Sequence, residues 1–188
     1  PQSTSGEIVF NTGMVGYNES LTDPSYAGQV LCLTYPLIGN YGVPSKIVEN
    51  NLIKNFESEK VQVSGLVIDD YSSNYNHWNS AKSLGEWLIE INIPGIYGID
   101  TRTLTKKLRE KGVMLGKIIY DKDLDFYDPS KENLVAQVST KKVINYGSGN
   151  IKIVLVDCGV KNNIIRCLVK RNVSVIRVPW NYDFNKEE

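Results

Sequence analysis

The stretch Thr22-Asp23-Pro24-Ser25-Tyr26 contains the residue types that could hold a chemical group in a fixed place. Pro24 fixes its own φ and disfavours the helical region for Asp23. The side chains of Asp23 and Ser25 can bond neighbouring backbone groups, which predicts a rigid corner that would position the Ser25 hydroxyl. Both interpretations, a positioned hydroxyl and an ordinary tight turn, fit these residue types.

The cysteines and the histidine limit the chemistry of the chain. The chain has three cysteines, at Cys32, Cys158 and Cys167. Their odd number and the absence of paired spacing argue against a disulfide framework and favour a reducing compartment. Cys158 has no activating partner nearby, so we interpret it as a structural or incidental cysteine. His77 is the only histidine in the sequence, which excludes most histidine-based metal sites. We expect it to cap or pack.

Two further patterns suggest phosphate chemistry at first sight. Basic residues recur between Arg102 and Lys111, but Glu110 interrupts them and no aromatic platform accompanies them. This favours a solvated helix face or a salt-bridged partner surface over phosphate binding. Gly147 and Gly149 resemble part of a dinucleotide fingerprint, but they precede a strand and lack a third glycine. We therefore interpret Asn145–Asn150 as a linker and reject a dinucleotide-binding protein.

Length and composition indicate a soluble globular protein. The 188 residues suffice for one large domain, or for one domain and part of another. The 21 basic and 21 acidic residues balance, so no strong field favours nucleic acid or an anionic membrane. No apolar run approaches the roughly 20 residues that a transmembrane helix needs. We expect neither a nucleic-acid nor a membrane partner.

Hydrophobic periodicity predicts alternating strands and helices in the first three-quarters of the chain. Asp100 is a suitable helix N-cap and Gly112 a suitable helix end. The predicted strands are Ile8–Phe10, Gln29–Tyr35, Val61–Asp69, Gly95–Ile99 and Val113–Tyr120. The predicted helices are Val48–Phe56, Ser80–Ile91, Leu104–Lys111 and Glu132–Val138, and Tyr71–Trp78 and Asp121–Lys131 are predicted loops.

The composition changes at Ile151. Ile151–Val156 is a continuous β-branched run, Lys161–Arg171 is amphipathic, and Val173–Val178 is a second apolar run. This order predicts a β-α-β unit, the first of a doubly wound parallel sheet. Two strands and one helix cannot cover a parallel sheet, so we expect the rest of this domain further along the same chain or on another.

Four long motifs carry a family resemblance: GEIVFNTGMVGYNESLTDPSY, LTYPLIGNYGVP, IYGIDTRTLTKKLREKG and VDCGVKNNIIRCLVKR. With these motifs the chain resembles the glutamine amidotransferase (small) subunit or domain of carbamoyl-phosphate synthase, of the eukaryotic type. The resemblance covers essentially the whole chain. It implies an N-terminal domain of β/β/α architecture over residues 1–148. It implies that residues 149–188 begin a class I glutamine amidotransferase domain, whose fold is doubly wound α/β.

The resemblance also implies a reaction. In this family a cysteine thiolate attacks the carboxamide of L-glutamine, ammonia leaves, and the enzyme thioester is hydrolysed. That cysteine lies in a Gly-x-Cys-x-Gly elbow beyond the second strand, so we expect no catalytic residue and no metal site in these residues, and no activity from this segment alone. The serine of the TDPSY motif contacts glutamine, and Ser25 matches it.

The resemblance places the remaining chemistry on a partner. The family's synthetase (large) subunit or region joins the ammonia to bicarbonate with ATP and Mg²⁺, so we expect no cofactor in this segment. An alternative is a non-catalytic structural module of an ammonia-dependent, urea-cycle synthase, which the NYNHW and AKSLGEWL stretches resemble. LTYPLIGNYGVP is more similar to cytosolic pyrimidine-pathway members. We therefore expect a cytoplasmic protein, with the mitochondrial matrix as the alternative.

Overall fold

A computed structural model describes residues 2–183 of the chain. Pro1 and residues 184–188, the end of the predicted second domain, lie outside the described residues. The strands are β1 (Thr4–Asn11), β2 (Gln29–Leu33), β3 (Leu37–Ile38), β4 (Val43–Pro44), β5 (Val48–Glu49), β6 (Leu52–Ile53), β7 (Gly65–Val67), β8 (Asp70–Tyr71), β9 (Ser80–Lys82), β10 (Gly95–Ile96), β11 (Leu115–Ile118), β12 (Ile144–Tyr146), β13 (Ile151–Asp157) and β14 (Val173–Pro179). The helices are α1 (Tyr17–Thr22), α2 (Leu84–Glu90), α3 (Thr101–Lys111), α4 (Leu134–Val138) and α5 (Asn162–Val169), with 3-10 turns at Pro24–Tyr26 and Pro129–Lys131.

A five-stranded sheet organises the first part of the chain, in the order β10-β7-β2-β1-β11. Its neighbours are parallel except β1 and β11, which are antiparallel. Alternate residues of the central strand β2 point to opposite faces. Leu31 and Leu33 therefore pack into one apolar core, whereas Val30 and Cys32 pack on the other face near Leu104 of α3.

The helix predicted over Val48–Phe56 is wrong. β5 and β6 form an antiparallel hairpin there, in which Val48 pairs with Ile53 and Glu49 with Leu52. Asn50 and Asn51 connect them with φ of 52° and 63°. Two consecutive left-handed residues are typical of the type I′ turn of a two-residue hairpin, and asparagine tolerates that conformation. Local turn chemistry thus overrides the helical spacing of the apolar residues.

Several predicted elements are shorter than expected. The strand predicted over Val61–Asp69 contains only β7, and the strand predicted over Gly95–Ile99 only β10. The helix predicted over Ser80–Ile91 begins as β9, and α2 follows it. Ser83 starts α2 with a reciprocal capping box to Glu86, which explains why the helix begins only after that residue.

The predicted ends of α3 are confirmed. The Asp100 carboxylate accepts a hydrogen bond from the backbone N–H of Thr103 at 2.8 Å. Gly112 follows the helix with φ of 76°, a conformation that glycine adopts without strain. The basic residues of α3 are exposed, in agreement with a solvated helix face.

The β-α-β prediction is confirmed. β13 and β14 are parallel, in register from Ile151↔Val173 to Asp157↔Pro179, and α5 packs against them through Ile165. The linker predicted over Asn145–Asn150 is partly wrong, because β12 pairs antiparallel with β14. The buried Tyr146 side chain joins the same core, which gives this short segment a reason to pair.

The fold class is therefore α/β, as predicted. The finer arrangement, a β/β/α domain over residues 1–148 followed by an amidotransferase domain, stays a prediction. Within residues 2–183 no helix combines the length and the apolar character that crossing a bilayer requires.

Candidate functional site

The predicted corner at Thr22–Tyr26 is present. Asp23 has extended backbone angles between the end of α1 and the 3-10 turn Pro24–Tyr26. Its Oδ1 accepts a hydrogen bond from the backbone N–H of Ser25 at 2.9 Å. This Asx-type bond fixes the turn in the way the residue types predict. Ser25 lies on the outside of the corner with an exposed side chain.

A second turn of the same residue types provides an internal comparison. In Asp128-Pro129-Ser130 the Asp128 Oδ1 accepts bonds from both the backbone N–H of Ser130, at 3.0 Å, and its hydroxyl, at 2.6 Å. The hydroxyl of Ser25 makes no such bond within residues 2–183, although its backbone N–H is held in the same way. The corner therefore presents a hydroxyl that can donate to and accept from a ligand.

The second oxygen of Asp23 joins the corner to the β-α-β unit. Asp23 is buried, and its Oδ2 lies 2.5 Å from Nζ of Lys161, the residue that precedes α5. The hydrogen bond to Asp23 raises the pKa of the Lys161 ammonium above its ordinary value, against a smaller opposing effect of burial. Asp23 thus holds Ser25 with one oxygen and Lys161 with the other.

A polar cleft of about 240 Å³ lies beside this ion pair, and we call it the corner cleft. Its lining residues come from β1, α1, the corner, the segment after the β5–β6 hairpin and the start of α5. They are Asn11, Glu19, Ser20, Asp23, Tyr26, Glu57, Lys161 and Asn163. Carboxylates, amides, hydroxyls and an ammonium can together recognise a small polar molecule. Ser25 itself is not among the lining residues.

Charges within the corner cleft are mostly compensated. Asp23 pairs with Lys161, and Glu57 pairs with Arg166 at 2.9 Å with both side chains mostly buried. Glu19 is exposed and forms no ion pair within the described part of the chain. One wall of the cleft comes from the first part of the chain and the other from the β-α-β unit, so both must be in place for the cleft to exist.

The turn after β13 lies against the corner. Asp157 is completely buried, and its Oδ1 accepts the backbone N–H groups of Gly159 and Val160 at 3.0 and 2.9 Å. Gly159 has φ of 98°, and a Cβ there would lie 3.3 Å from Cβ of Pro24. The close approach explains why glycine is suitable there. Cys158, in the same turn, is exposed.

His77 packs but does not cap. Its ring lies edge-on to Tyr41 with the centroids 6.2 Å apart, and its Nδ1 accepts a bond from the backbone N–H of Asn79. The N-cap of the next helix is Ser83. The side chain of His77 is exposed and lies in a different cavity from the corner cleft.

Sequence reasoning missed Glu57 and Lys161. Glu57 lies between two predicted elements and has no predicted role, and Lys161 lies inside the predicted helix Lys161–Arg171. The structure makes Lys161 the N-cap of α5, without a side-chain hydrogen bond to the helix. Because lysine is not a capping residue, a helix that begins there requires an acceptor from elsewhere. That mismatch was the available signal.

The chain is similar to known proteins over its whole length. A family model described as "Carbamoyl-phosphate synthase small chain, CPSase domain" matches residues 1–118. "Carbamoyl-phosphate synthase [ammonia], mitochondrial" of Homo sapiens is 56% identical over 192 residues, covering 100% of the present chain and 13% of the human protein. "Multifunctional protein CAD" of Squalus acanthias is 53% identical over 192 residues, covering 99% of the chain and 9% of that protein.

A third relative, "Multifunctional protein pyr1-3" of Dictyostelium discoideum, is 50% identical over 200 residues, covering 97% of the chain and 9% of that protein. The chain thus spans about an eighth or less of the length of these relatives. The family match covers well over half of the chain. The chain therefore belongs to the carbamoyl-phosphate synthase small-chain family.

Proposed function

We propose that this chain supplies the glutamine-binding corner and the first amidotransferase unit of a glutamine-dependent carbamoyl-phosphate synthase. The observation that carries the proposal is the corner of this family's TDPSY motif next to a β-α-β unit. Ser25 is exposed there, and its hydroxyl makes no hydrogen bond within residues 2–183. The substrate is L-glutamine, and the product that leaves this part of the enzyme is ammonia.

The role of Ser25 in this proposal is to orient the substrate. Its backbone is fixed by Asp23, so binding the amino-acid head group requires ordering of the serine side chain but not of the turn. The nucleophilic cysteine belongs to a Gly-x-Cys-x-Gly elbow that these 188 residues do not contain. Thiolate attack and thioester hydrolysis are therefore assigned to the rest of the amidotransferase domain.

The proposal assigns the use of ammonia to a synthetase region or subunit. That partner would bind ATP and Mg²⁺ and make carbamoyl phosphate from bicarbonate, and the present chain would need no cofactor of its own. On the same reasoning the 188-residue segment alone hydrolyses no glutamine. A cytoplasmic location, with the mitochondrial matrix as the alternative, stays a prediction.

A second function is favoured by a specific observation. The human relative, 56% identical, is named for ammonia. A synthase that takes free ammonia would use this chain as a structural module that holds the synthetase region in an active arrangement. The residue at the elbow of the full-length protein separates the two, because only a cysteine there supports thiolate chemistry.

The test compares Ser25→Ala with Ser130→Ala in the full-length protein. Carbamoyl phosphate formation is measured with glutamine and, separately, with ammonium chloride as nitrogen donor. We expect Ser25→Ala to raise the KM for glutamine about tenfold, the effect of one lost hydrogen bond, and to leave the ammonia-dependent rate unchanged. Ser130→Ala, in the matched turn, should change neither. Equal behaviour of the two variants with glutamine would contradict the assignment of Ser25, and a wild-type protein that uses only ammonia would establish the second function.

A further inference from the structure

Glu57 bonds to the residue that begins the corner. Its backbone N–H donates to Oγ1 of Thr22 at 3.0 Å, and the hydroxyl of the next residue, Ser58, donates to the Thr22 carbonyl at 2.6 Å. Thr22 is followed directly by Asp23, Pro24 and Ser25. The buried segment at Glu57 therefore fixes the start of the Ser25 corner.

The same residue bonds to the start of α5. The Glu57 carbonyl accepts the backbone N–H of Asn162 at 2.9 Å, and its Oε2 accepts the backbone N–H of Asn163 at 2.8 Å. These are N–H groups of the first helical turn, which have no partner inside the helix. Glu57 thus provides the cap that Lys161 does not.

A carboxylate suits this position for two reasons. The first turn of a helix carries a partial positive charge, which favours an anion. Its other oxygen, Oε1, accepts a bond from Arg166 at 2.9 Å, and Arg166 also donates to the Ile53 carbonyl at 2.7 Å. A glutamine at position 57 would turn its amide nitrogen toward a donor in either orientation, so one of the two bonds would be lost.

We propose that Glu57 is a positioning residue that sets the distance between the Ser25 corner and α5, and so the placement of the Ser25 hydroxyl toward its substrate. The proposal rests on the proposed glutamine site. Because Glu57 bonds Thr22 on one side and α5 on the other, a change on the α5 side is transmitted to the corner. Lys161, which precedes α5 and pairs with Asp23, moves with it.

The experiment uses Glu57→Gln and Arg166→Lys in the full-length protein, with Glu59→Gln as the control because Glu59 is exposed and two residues away. Hydrogen exchange is measured at the backbone amides of Ser25 and Tyr26, both of which bond Asp23. The KM for glutamine and the ammonia-dependent rate are measured in parallel. Melting temperatures identify any variant that fails to fold.

We expect both variants to exchange the corner amides about tenfold faster, as a locally destabilised segment does. We expect the KM for glutamine to rise about tenfold or more while the ammonia-dependent rate is unchanged, because small misplacements weaken productive binding. Glu59→Gln should match the wild type. Arg166→Lys is informative because Arg166 bonds Glu57, Ile53 and Phe56 but no residue of the corner, whereas the exchange is measured at the corner.

Each other outcome overturns the proposal. Unchanged exchange at the corner would show that Glu57 and Arg166 do not transmit position, and faster exchange with an unchanged KM would show that the position does not matter for the substrate. If the wild-type protein does not use glutamine at all, the proposed function fails instead. The exchange measurement then decides alone, and unchanged corner amides would refute the coupling itself.

Discussion

Three ion pairs of similar length differ sharply in burial, and this difference yields a quantitative prediction. Asp157 and Arg177 lie 2.6 Å apart with side chains 0% and 11% exposed. Asp23 and Lys161 lie 2.5 Å apart with 6% and 45% exposed, whereas Glu49 and Lys54 lie 2.8 Å apart with both about half exposed. Since the distances barely differ, we expect the loss in the free energy of unfolding, when each acid is replaced by its amide, to increase with the burial of the pair.

The largest cost is expected for Asp157→Asn. The Asp157 carboxylate accepts from Gly159, Val160, the backbone N–H of Thr140 at 2.6 Å and Nε of Arg177 at 2.8 Å. Because all four groups are donors, an amide nitrogen would face donors in either orientation. Breaking a buried pair by neutralising one partner costs about 3–5 kcal/mol, and we expect this loss in the free energy of unfolding.

The two other substitutions should cost less. Asp23→Asn weakens one charge-assisted bond to a half-exposed lysine and one bond to a backbone N–H, so we expect a loss of about 2 kcal/mol. Glu49→Gln removes an exposed pair, whose contribution is about 0–1 kcal/mol and decreases with salt. The predicted order is therefore Asp157, Asp23, Glu49.

Urea unfolding of the chain, followed by circular dichroism at low and high salt, measures all three. The comparison is valid when the free energy of unfolding has the same slope against urea concentration in all variants, so that they differ only in the midpoint of unfolding. If Glu49→Gln lowered the free energy of unfolding as much as Asp157→Asn, burial would not be the controlling variable. The assignment of Asp157 as the anchor of the turn after β13 would then be refuted.

Three smaller predictions follow from the backbone and the cysteines. In urea unfolding, Gly159→Ala should destabilise the chain more than Gly98→Ala. Both glycines have positive φ, but only at Gly159 would the added methyl group lie 3.0 Å from a side-chain carbon, Cγ2 of Val138. Asn51→Ala should lower the free energy of unfolding by about 1 kcal/mol, because alanine disfavours the left-handed conformation of this turn. If the segment were a helix, alanine would instead stabilise it. Burial raises the pKa of the Cys32 thiol to about 11, so iodoacetamide at pH 8 should modify the exposed Cys158 in the native protein and leave Cys32 intact, as peptide mass spectrometry would show.

Elements with strong local signals were predictable from the sequence. The β-branched run of β13, the amphipathic α5 and the apolar β14 each show their own periodicity, and they occur where the pattern places them. Asp100 and Gly112 mark the ends of α3 through interactions within a few residues. Such features depend on neighbouring residues only, so the sequence contains the information directly.

The hairpin at Val48–Ile53 shows where periodicity fails. Its apolar residues have a spacing that also fits a helix, and each strand is only two residues long. The deciding feature is the left-handed pair Asn50 and Asn51. Turn residues therefore outweigh a short apolar pattern when the two conflict.

The corner cleft was less predictable because its contacts are distant in sequence. Asp23 meets Lys161, and Glu57 meets Arg166, across more than a hundred residues in each case. No local rule pairs these residues, and each of them alone suits a solvated surface. The residue types predict the corner and the family resemblance gives Ser25 a role there, but neither one indicates Glu57, Lys161 or Arg166.

The two Asp-Pro-Ser turns show that one local motif can occur in two different side-chain environments. Both aspartates fix the backbone N–H of the following serine, so the tripeptide forms the same turn twice. At Asp128 the serine hydroxyl folds back onto the carboxylate. At Asp23 the second oxygen is bound to Lys161 of the β-α-β unit, and the Ser25 hydroxyl makes no hydrogen bond within residues 2–183. The same three residues therefore place their serine hydroxyl in two different environments, which the residue types alone do not distinguish.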